Sequence, residues 1–307
     1  MTTATISEYS QQAWEFERPA PGGIIVGVDG STESIEALNT AAVLARRKRQ
    51  CLHAVTVIPT FPSYRITTGP DSSSEHVNRL RLQLKCAELG AIMNALQPEN
   101  NWSHEVLIGR PARSLADLAD ARGAELIVLG RRQHGVLDRL TGGETTIQVM
   151  RRTSIPVLAV GSGVDVPKTV LAAVDFSPAS IVAAKAAGAL MGSSGTLYLA
   201  YVEPLPDLLP EGFALLPDDR FQGDIVLGFR RLQEELGTHS GILIVLTGRP
   251  LPCILEFAER VGADLIAAGS RGHSRLERVM LGSVSAGLVR NAKCAVLVAP
   301  PRPESLS

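Results

Sequence analysis

Aromatic residues are scarce: Phe, Trp and Tyr together make up 4% of the 307 residues. A surface that stacks successive bases needs more rings than that. Charge of one sign is missing too, since the formal net charge is −1 at pH 7. No global field therefore attracts a phosphate backbone or an anionic lipid surface. Neither nucleic acid nor membrane is expected as a partner. Cysteine is limited to Cys51, Cys86, Cys253 and Cys294. None forms a C-x-x-C pair, and none has metal-ligand spacing with a histidine. Cys51 and Cys294 lie in or beside apolar runs and read as buried small hydrophobes. No apolar run approaches the ~20 residues that cross a bilayer. The N-terminus has no basic stretch leading into an apolar one, the mark of a secretory leader. The expected location is the cytoplasm.

Catalytic motifs are also missing. There is no G-x-x-x-x-G-K-[ST] loop, no complete G-x-G-x-x-G after a strand, and no G-x-S-x-G elbow. No catalytic residue and no metal-ligand set is assigned.

What is present is aliphatic: 45% of the chain is apolar. That suits parallel sheets buried on both faces by helices. Short apolar runs alternate with helical periodicity throughout. Strands are expected at Gly23–Val28, Leu52–Ile58, Glu105–Ile108, Glu125–Leu129 and Ile155–Val160. A second series follows at Val170–Val174, Leu197–Val202, Ile242–Leu246, Asp264–Ala268 and Cys294–Ala299. The stretch Gly161–Lys168 has the composition of a linker. The organisation expected is a tail over residues 1–21, a domain over 22–161, a linker over 162–168 and a second domain over 169–301.

The halves repeat each other. Gly109-Arg110-Pro111 returns as Gly248-Arg249-Pro250, and Gly130 and Gly143 return as Gly269 and Gly282 at the same offset. Alternating strands and helices imply an open parallel sheet in each half. Ligands of such sheets sit beyond the carboxyl ends of the strands, where strand order reverses. Two features converge there. One is an aspartate after the first strand of each half, Asp29 or Asp175. Asp175 is either a helix N-cap or an acceptor for ribose hydroxyls. The other is the glycine-rich loop after the fourth strand. In the second half it runs from Gly269 to Ser285 and enters a helix. Glycines allow close backbone approach, and the helix start offers N–H groups to an anion. Ser283 and Ser285 add hydroxyls, and Arg271 adds charge. His273 lies in the same loop.

Gly269-x-x-Gly272, nine residues, then Gly282-Ser283 resembles the ATP-binding signature of the universal stress protein family. Both halves resemble its domain, so the chain is similar to a tandem member. The resemblance implies an α/β fold of two tandem open parallel-sheet domains, Rossmann-like and adenine nucleotide alpha hydrolase-like, of five strands each. It implies ATP as a regulatory ligand, with Mg²⁺ left open. Asp175 would sit near the adenosine, with Ala173, Val174 and Val202 around the base. Gly269, Arg271, Gly272 and His273 would line the phosphates or ribose. Gly282, Ser283, Val284 and Ser285 would hold the phosphates. The family also implies pairing of the last strands, Ile155–Val160 against Cys294–Ala299. A homodimer and a regulatory protein partner stay open. A slow ATPase or phosphotransferase using the same site is the alternative.

The first half departs from the signature. Asp29, Gly130 and Gly143 remain, but Gln133 stands where Gly272 is and Glu144 where Ser283 is. A carboxylate ~4 Å from phosphate costs several kcal/mol at an effective dielectric of ~20. Arg131, Arg132 and Thr146 are still suitably typed for phosphate. Nucleotide is expected mainly in the second half.

Overall fold

The computed structural model describes residues 22–59, 73–96, 102–131, 145–161, 165–203, 219–237, 241–271 and 281–301. The first half contains β1 (Ile24–Gly27), α1 (Thr32–Lys48), β2 (Leu52–Pro59), α2 (Ser73–Ala95), β3 (Trp102–Gly109), α3 (Pro111–Ala121), β4 (Leu126–Gly130), α4 (Thr145–Arg152) and β5 (Val157–Val160). The second contains β6 (Thr169–Ala173), α5 (Pro178–Leu190), β7 (Thr196–Glu203), α6 (Asp219–Leu236), β8 (Ile242–Thr247), α7 (Pro250–Val261), β9 (Leu265–Gly269), α8 (Ser283–Asn291) and β10 (Ala295–Ala299).

The expected five-plus-five arrangement is present, and its two sheets are continuous. One ten-stranded sheet runs β3-β2-β1-β4-β5-β10-β9-β6-β7-β8. Every neighbouring pair is parallel except β5 with β10, which run antiparallel with Leu297 opposite Leu158. The last strand of each half thus pairs with that of the other, inside one chain. β3 is longer than its apolar run, because Trp102, Ser103 and His104 pair in register with Leu52, His53 and Ala54.

Each face carries one core that spans both halves. Under α1, α2, α5 and α6 lie Val26, Leu38, Leu52, Val170, Leu199 and Leu297. Under α3, α4, α7 and α8 lie Ile25, Leu115, Ile127, Leu171, Ile266 and Val298. Central strands covered on both sides have no polar alternation, and β10 is buried at every position. Helix α1 shows how sequence sets the layer. Ser31 caps it, Ala37, Leu38, Ala41 and Ala45 form the buried stripe, and Arg46, Arg47 and Lys48 complement the dipole at its end.

Two arginines of the first half close the seam. On one face Arg47 donates to the carbonyls of Leu190, at 2.7 Å, and Met191, at the end of α5. On the other, Arg131 donates to Val289 and Cys294 at 3.2 and 3.0 Å. In both places a guanidinium satisfies carbonyls that a helix end or its exit leaves without an intrahelical partner. Cys51 and Cys294 are half-buried rather than fully enclosed. Burial raises the Cys294 thiol pKa to about 11, even with the opposing charge of Arg131.

Candidate functional site

Strand order reverses between β1 and β4, and again between β6 and β9. A cleft lies beyond the carboxyl ends at the first reversal, and the ends of β6 and β9 stand in the equivalent place at the second. The sequence sets both mouths with one six-residue pattern: Asp29-x-Ser31-x-x-Ser34 and Asp175-x-Ser177-x-x-Ser180. In the second half the Asp175 carboxylate accepts from the Ser177 N–H at 3.0 Å. Ser177 caps α5 by accepting from the Ser180 N–H at 3.3 Å. In the first half Asp29 accepts from the Ser31 N–H at 2.9 Å, and Ser31 caps α1. Neither aspartate is the helix cap, then; each holds the residue that is. The D-x-S-x-x-S spacing carries this in the sequence, and motif reading centred on the aspartate alone misses it.

The residue after each aspartate has a left-handed backbone, with φ 87° at Gly30 and 62° at Phe176. A non-glycine there is strained. The Phe176 ring is held by stacking on Tyr201 at 5.2 Å and by an edge contact with Phe229 at 5.1 Å.

The loop glycines divide by role. A Cβ on Gly269 would lie 2.7 Å from the Ser180 nitrogen, and one on Gly130 would lie 2.7 Å from the Ser34 nitrogen. Both are glycine because the first turn of α5 or α1 packs on the strand end. Gly282 is different: its φ is −60°, and a Cβ would meet the Ser270 carbonyl oxygen at 3.3 Å. It N-caps α8 without any side-chain capping bond. Among the described residues the starting N–H groups of α8 have no side-chain acceptor, the condition under which a helix start takes an anion.

The expected hydroxyls divide likewise. Ser283 is exposed at the first position of α8. Ser285 is buried, and its Oγ donates to the Gly269 carbonyl. Thr146 makes the same bond to Gly130 at 3.1 Å. Each hydroxyl ties a helix to the strand before it. Around the expected base, Ala173 and Val202 share the core face of α7 and α8, whereas Val174 turns its side chain into the core under α5. Val174 is thus not brought beside Val202. Arg271 and Val284 are half-buried. Gly272, His273, Gly143, Gln133, Arg132 and Glu144 lie outside the described residues.

Arg131 corrects the reading of the first half. Its charge suits phosphate, but it is 5% exposed and committed to Val289 and Cys294 across the seam. Its Nε is buried without a partner. Only a three-dimensional seam makes this role visible, since its acceptors lie in the other half.

The first-half cleft is a cavity of about 720 Å³. Asp29, Thr56, Leu115, Thr146 and Arg81 contribute to its walls, together with Val289 and Arg290 of the second half. Among the described residues no cluster of three His, Cys, Asp or Glu side chains is placed to hold a metal ion. No helix among them is long and apolar enough to cross a membrane.

His53 is buried on the edge pair β2 and β3, bonded to Ser103 at 2.7 Å and Glu105 at 2.8 Å. Arg122 reaches the same carboxylate at 3.3 Å. This set supports the strand pair and does not line the first-half cavity.

The profile of the universal stress protein family matches twice, over residues 23–161 and 167–300. A universal stress protein of Mycobacterium tuberculosis is 25% identical over 312 aligned positions, covering 90% of this chain and 94% of the relative. One from Methanocaldococcus jannaschii is 34% identical over 105 positions, covering 33% of this chain and 61% of that protein. Among solved structures, a universal stress protein from Archaeoglobus fulgidus aligns with TM-score 0.63 at 20% identity, covering 92% of this chain and 98% of its own. A putative one from Pseudomonas aeruginosa aligns with TM-score 0.60 at 18% identity, covering 92% and 94%. With two matched domains joined through their last strands, the chain belongs to the universal stress protein family as a tandem member.

Proposed function

We propose that the chain is a stress-response protein that binds ATP as a regulatory ligand, mainly in its second half. One observation carries this reading: α8 begins at Gly282 with no side-chain cap, and exposed Ser283 stands at its first position. Phosphate would be held by the N–H groups of that turn and by the Ser283 hydroxyl. The residues present fit such a group, because the turn has donors to give and no side-chain acceptor among the described residues takes them. Asp175, which holds the Ser177 turn, would stand near the ribose. In the first half Glu144 replaces the hydroxyl, and Arg131 is spent on the seam.

ATP in this role shifts a protein between two states that bind it unequally. The described site contains no residue assigned to attack a phosphate. The cation accompanying the phosphates, Mg²⁺ or another, would be held chiefly by the nucleotide itself. The test is recovery of nucleotide from purified full-length protein, with saturable ATP binding in solution. Intact ATP at about one per chain, lost on Ser283→Glu, supports the reading. Sustained phosphate release under excess ATP would replace it with the hydrolytic alternative.

A further inference from the structure

The ten-stranded sheet ends on two edges, β3 and β8, which hold the same place in the two halves. Counted back from Gly109 and Gly248, the β3 residues Ser103, His104, Glu105 and Val106 correspond to Ile242, Leu243, Ile244 and Val245 of β8. The β3 edge is polar: His53 bonds Ser103 and Glu105, and Arg122 reaches Glu105. Charge on an edge strand discourages pairing with another chain. The β8 edge has none. From Ile242 to Thr247 it carries no charged side chain and a single hydroxyl, that of Thr247. Among the described residues no strand pairs with its open side.

The covering of the two edges differs as well. Helix α2 lies over β3, so that a Cβ on Gly90 would meet the His104 ring at 3.3 Å, and Val106 packs against the core. Their counterparts Leu243 and Val245 pair in register with Leu199 and Tyr201, and so stand on the face of α5 and α6. They are 40% and 51% exposed. On the opposite face Ile244 and Leu246 pack partly against the core, while Ile242 is 50% exposed. Both faces of β8 therefore bring apolar side chains into the open at the sheet edge.

An extended edge with outward N–H and C=O groups accepts another strand, and alternate side chains select which one. An uncharged apolar strand is matched by another of its kind, and the chain supplies one. A two-fold axis perpendicular to the sheet through Ile244 sets β8 antiparallel to its own copy and keeps like faces together. It brings Leu243 opposite Val245 of the second copy and Ile242 opposite Leu246. Antiparallel pairing of equivalent strands already joins the halves through β5 and β10. Six residues make a seam about 20 Å long. With a helix layer roughly 10 Å away on each face, the two copies would bury on the order of 1,000 Å², the lower limit for a specific interface. A net charge of −1 leaves no global repulsion between them.

We propose that β8 is an association edge, and that a second copy of this chain docks on it strand to strand, continuing the sheet into the second molecule across a two-fold axis. The small seam makes this association weak and dependent on concentration.

Sedimentation velocity on the full chain from about 1 to about 200 μM measures it, with an expected dissociation constant on the order of 10 μM. Leu243→Lys together with Val245→Lys places like charges in the seam and should raise that constant at least about tenfold. Both side chains are exposed, so thermal melts of the double variant should match the parent. Ile108→Lys, on the opposite edge, should leave association unchanged. Amide hydrogen exchange of the unsubstituted chain gives a reading that needs no variant to fold. Protection across Ile242–Thr247 should rise with protein concentration while that of β3 stays constant. A chain that stays monomeric over this range overturns the proposal and leaves the edge to an extended peptide of another protein. A dimer that survives the double substitution, or one that protects β3 instead of β8, overturns it too.

Discussion

Arg131 and Cys294 stand 163 positions apart in the chain, and the guanidinium of one donates to the carbonyl of the other at 3.0 Å. A second bond reaches Val289, the guanidinium is buried, and no carboxylate among the described residues is paired with it. Charge-assisted bonds to carbonyls at a helix end carry the attraction instead. Arg131→Met should destabilise the full chain by about 2–4 kcal/mol, because two acceptors lose their donor. Arg131→Lys should recover only part, having no planar fork to serve both. Urea unfolding curves measure both variants. Wild-type midpoints would show that the seam does not depend on this residue.

The two described glycines of the second-half loop should separate fold from ligand. Gly269→Ala forces a Cβ against backbone that cannot yield, at about 1–3 kcal/mol of stability. Gly282→Ala has an ordinary φ and a single close oxygen, so its cost should stay below about 1 kcal/mol. Any loss of ATP affinity in Gly282→Ala then reports on the site. Equal destabilisation by the two would contradict this division.

The serines should divide along the same line. Ser285→Ala removes the bond to Gly269 and should cost about 1 kcal/mol. Ser283→Ala should leave stability within about 0.5 kcal/mol and weaken ATP binding instead. Thermal melts and titration of both variants decide; a stability loss confined to Ser283→Ala would reverse the assignment.

Phe176 carries a left-handed backbone that its ring packing sustains. A Cβ on Gly228 would lie 2.7 Å from that ring. Gly228→Ala should therefore destabilise the second half by about 1–3 kcal/mol, despite the better helix propensity of alanine. Near-ultraviolet circular dichroism should change with it, since Tyr201 and Phe229 share the cluster. A stabilised Gly228→Ala protein would show that the ring moves freely aside.

Acid should loosen the β2–β3 edge. Burial opposes charge on Glu105, but the bond from His53 and the charges of His53 and Arg122 outweigh it, leaving its pKa below the ordinary 4.5. Burial first, then the charge of His53, lowers His104 below the ordinary 6.5. Both groups take up protons more readily in the unfolded chain. The His104 contribution is lost as pH falls from about 6.5 through its folded value, and that of Glu105 as pH falls below 4.5. Glu105→Gln should flatten the acid limb of stability against pH. An unchanged limb in denaturant titrations at stepped pH would assign acid sensitivity elsewhere.

Much of this fold was legible because parallel strands buried on both faces leave uninterrupted apolar runs. The tandem repeat was legible because Gly-Arg-Pro and the loop glycines recur at one offset. The roles within the site were less so. Gly269 and Ser285 belong to a ligand motif by spacing, yet their neighbours are Ser180 and the Gly269 carbonyl itself. Local sequence does not say which way a short side chain turns. Arg131 was less legible still, because its role depends on antiparallel pairing between strands more than a hundred positions apart. Trp102 to His104 lengthen β3 through pairing, which hydrophobic patterning does not record.

The antiparallel pairing of β5 with β10 has one more consequence. In a dimer of two identical chains every substitution appears twice, once on each side of the axis. Here the two sides are encoded separately, and their association is intramolecular, so it does not weaken on dilution. An arginine can be placed at one side of the seam with serine opposite, as Arg131 and Ser270 are. A glutamate can enter one phosphate loop while the other keeps its serine, as with Glu144 and Ser283. Fusion thus lets two related pockets differ while always occurring in one-to-one ratio, which separate subunits would need an additional sorting mechanism to guarantee.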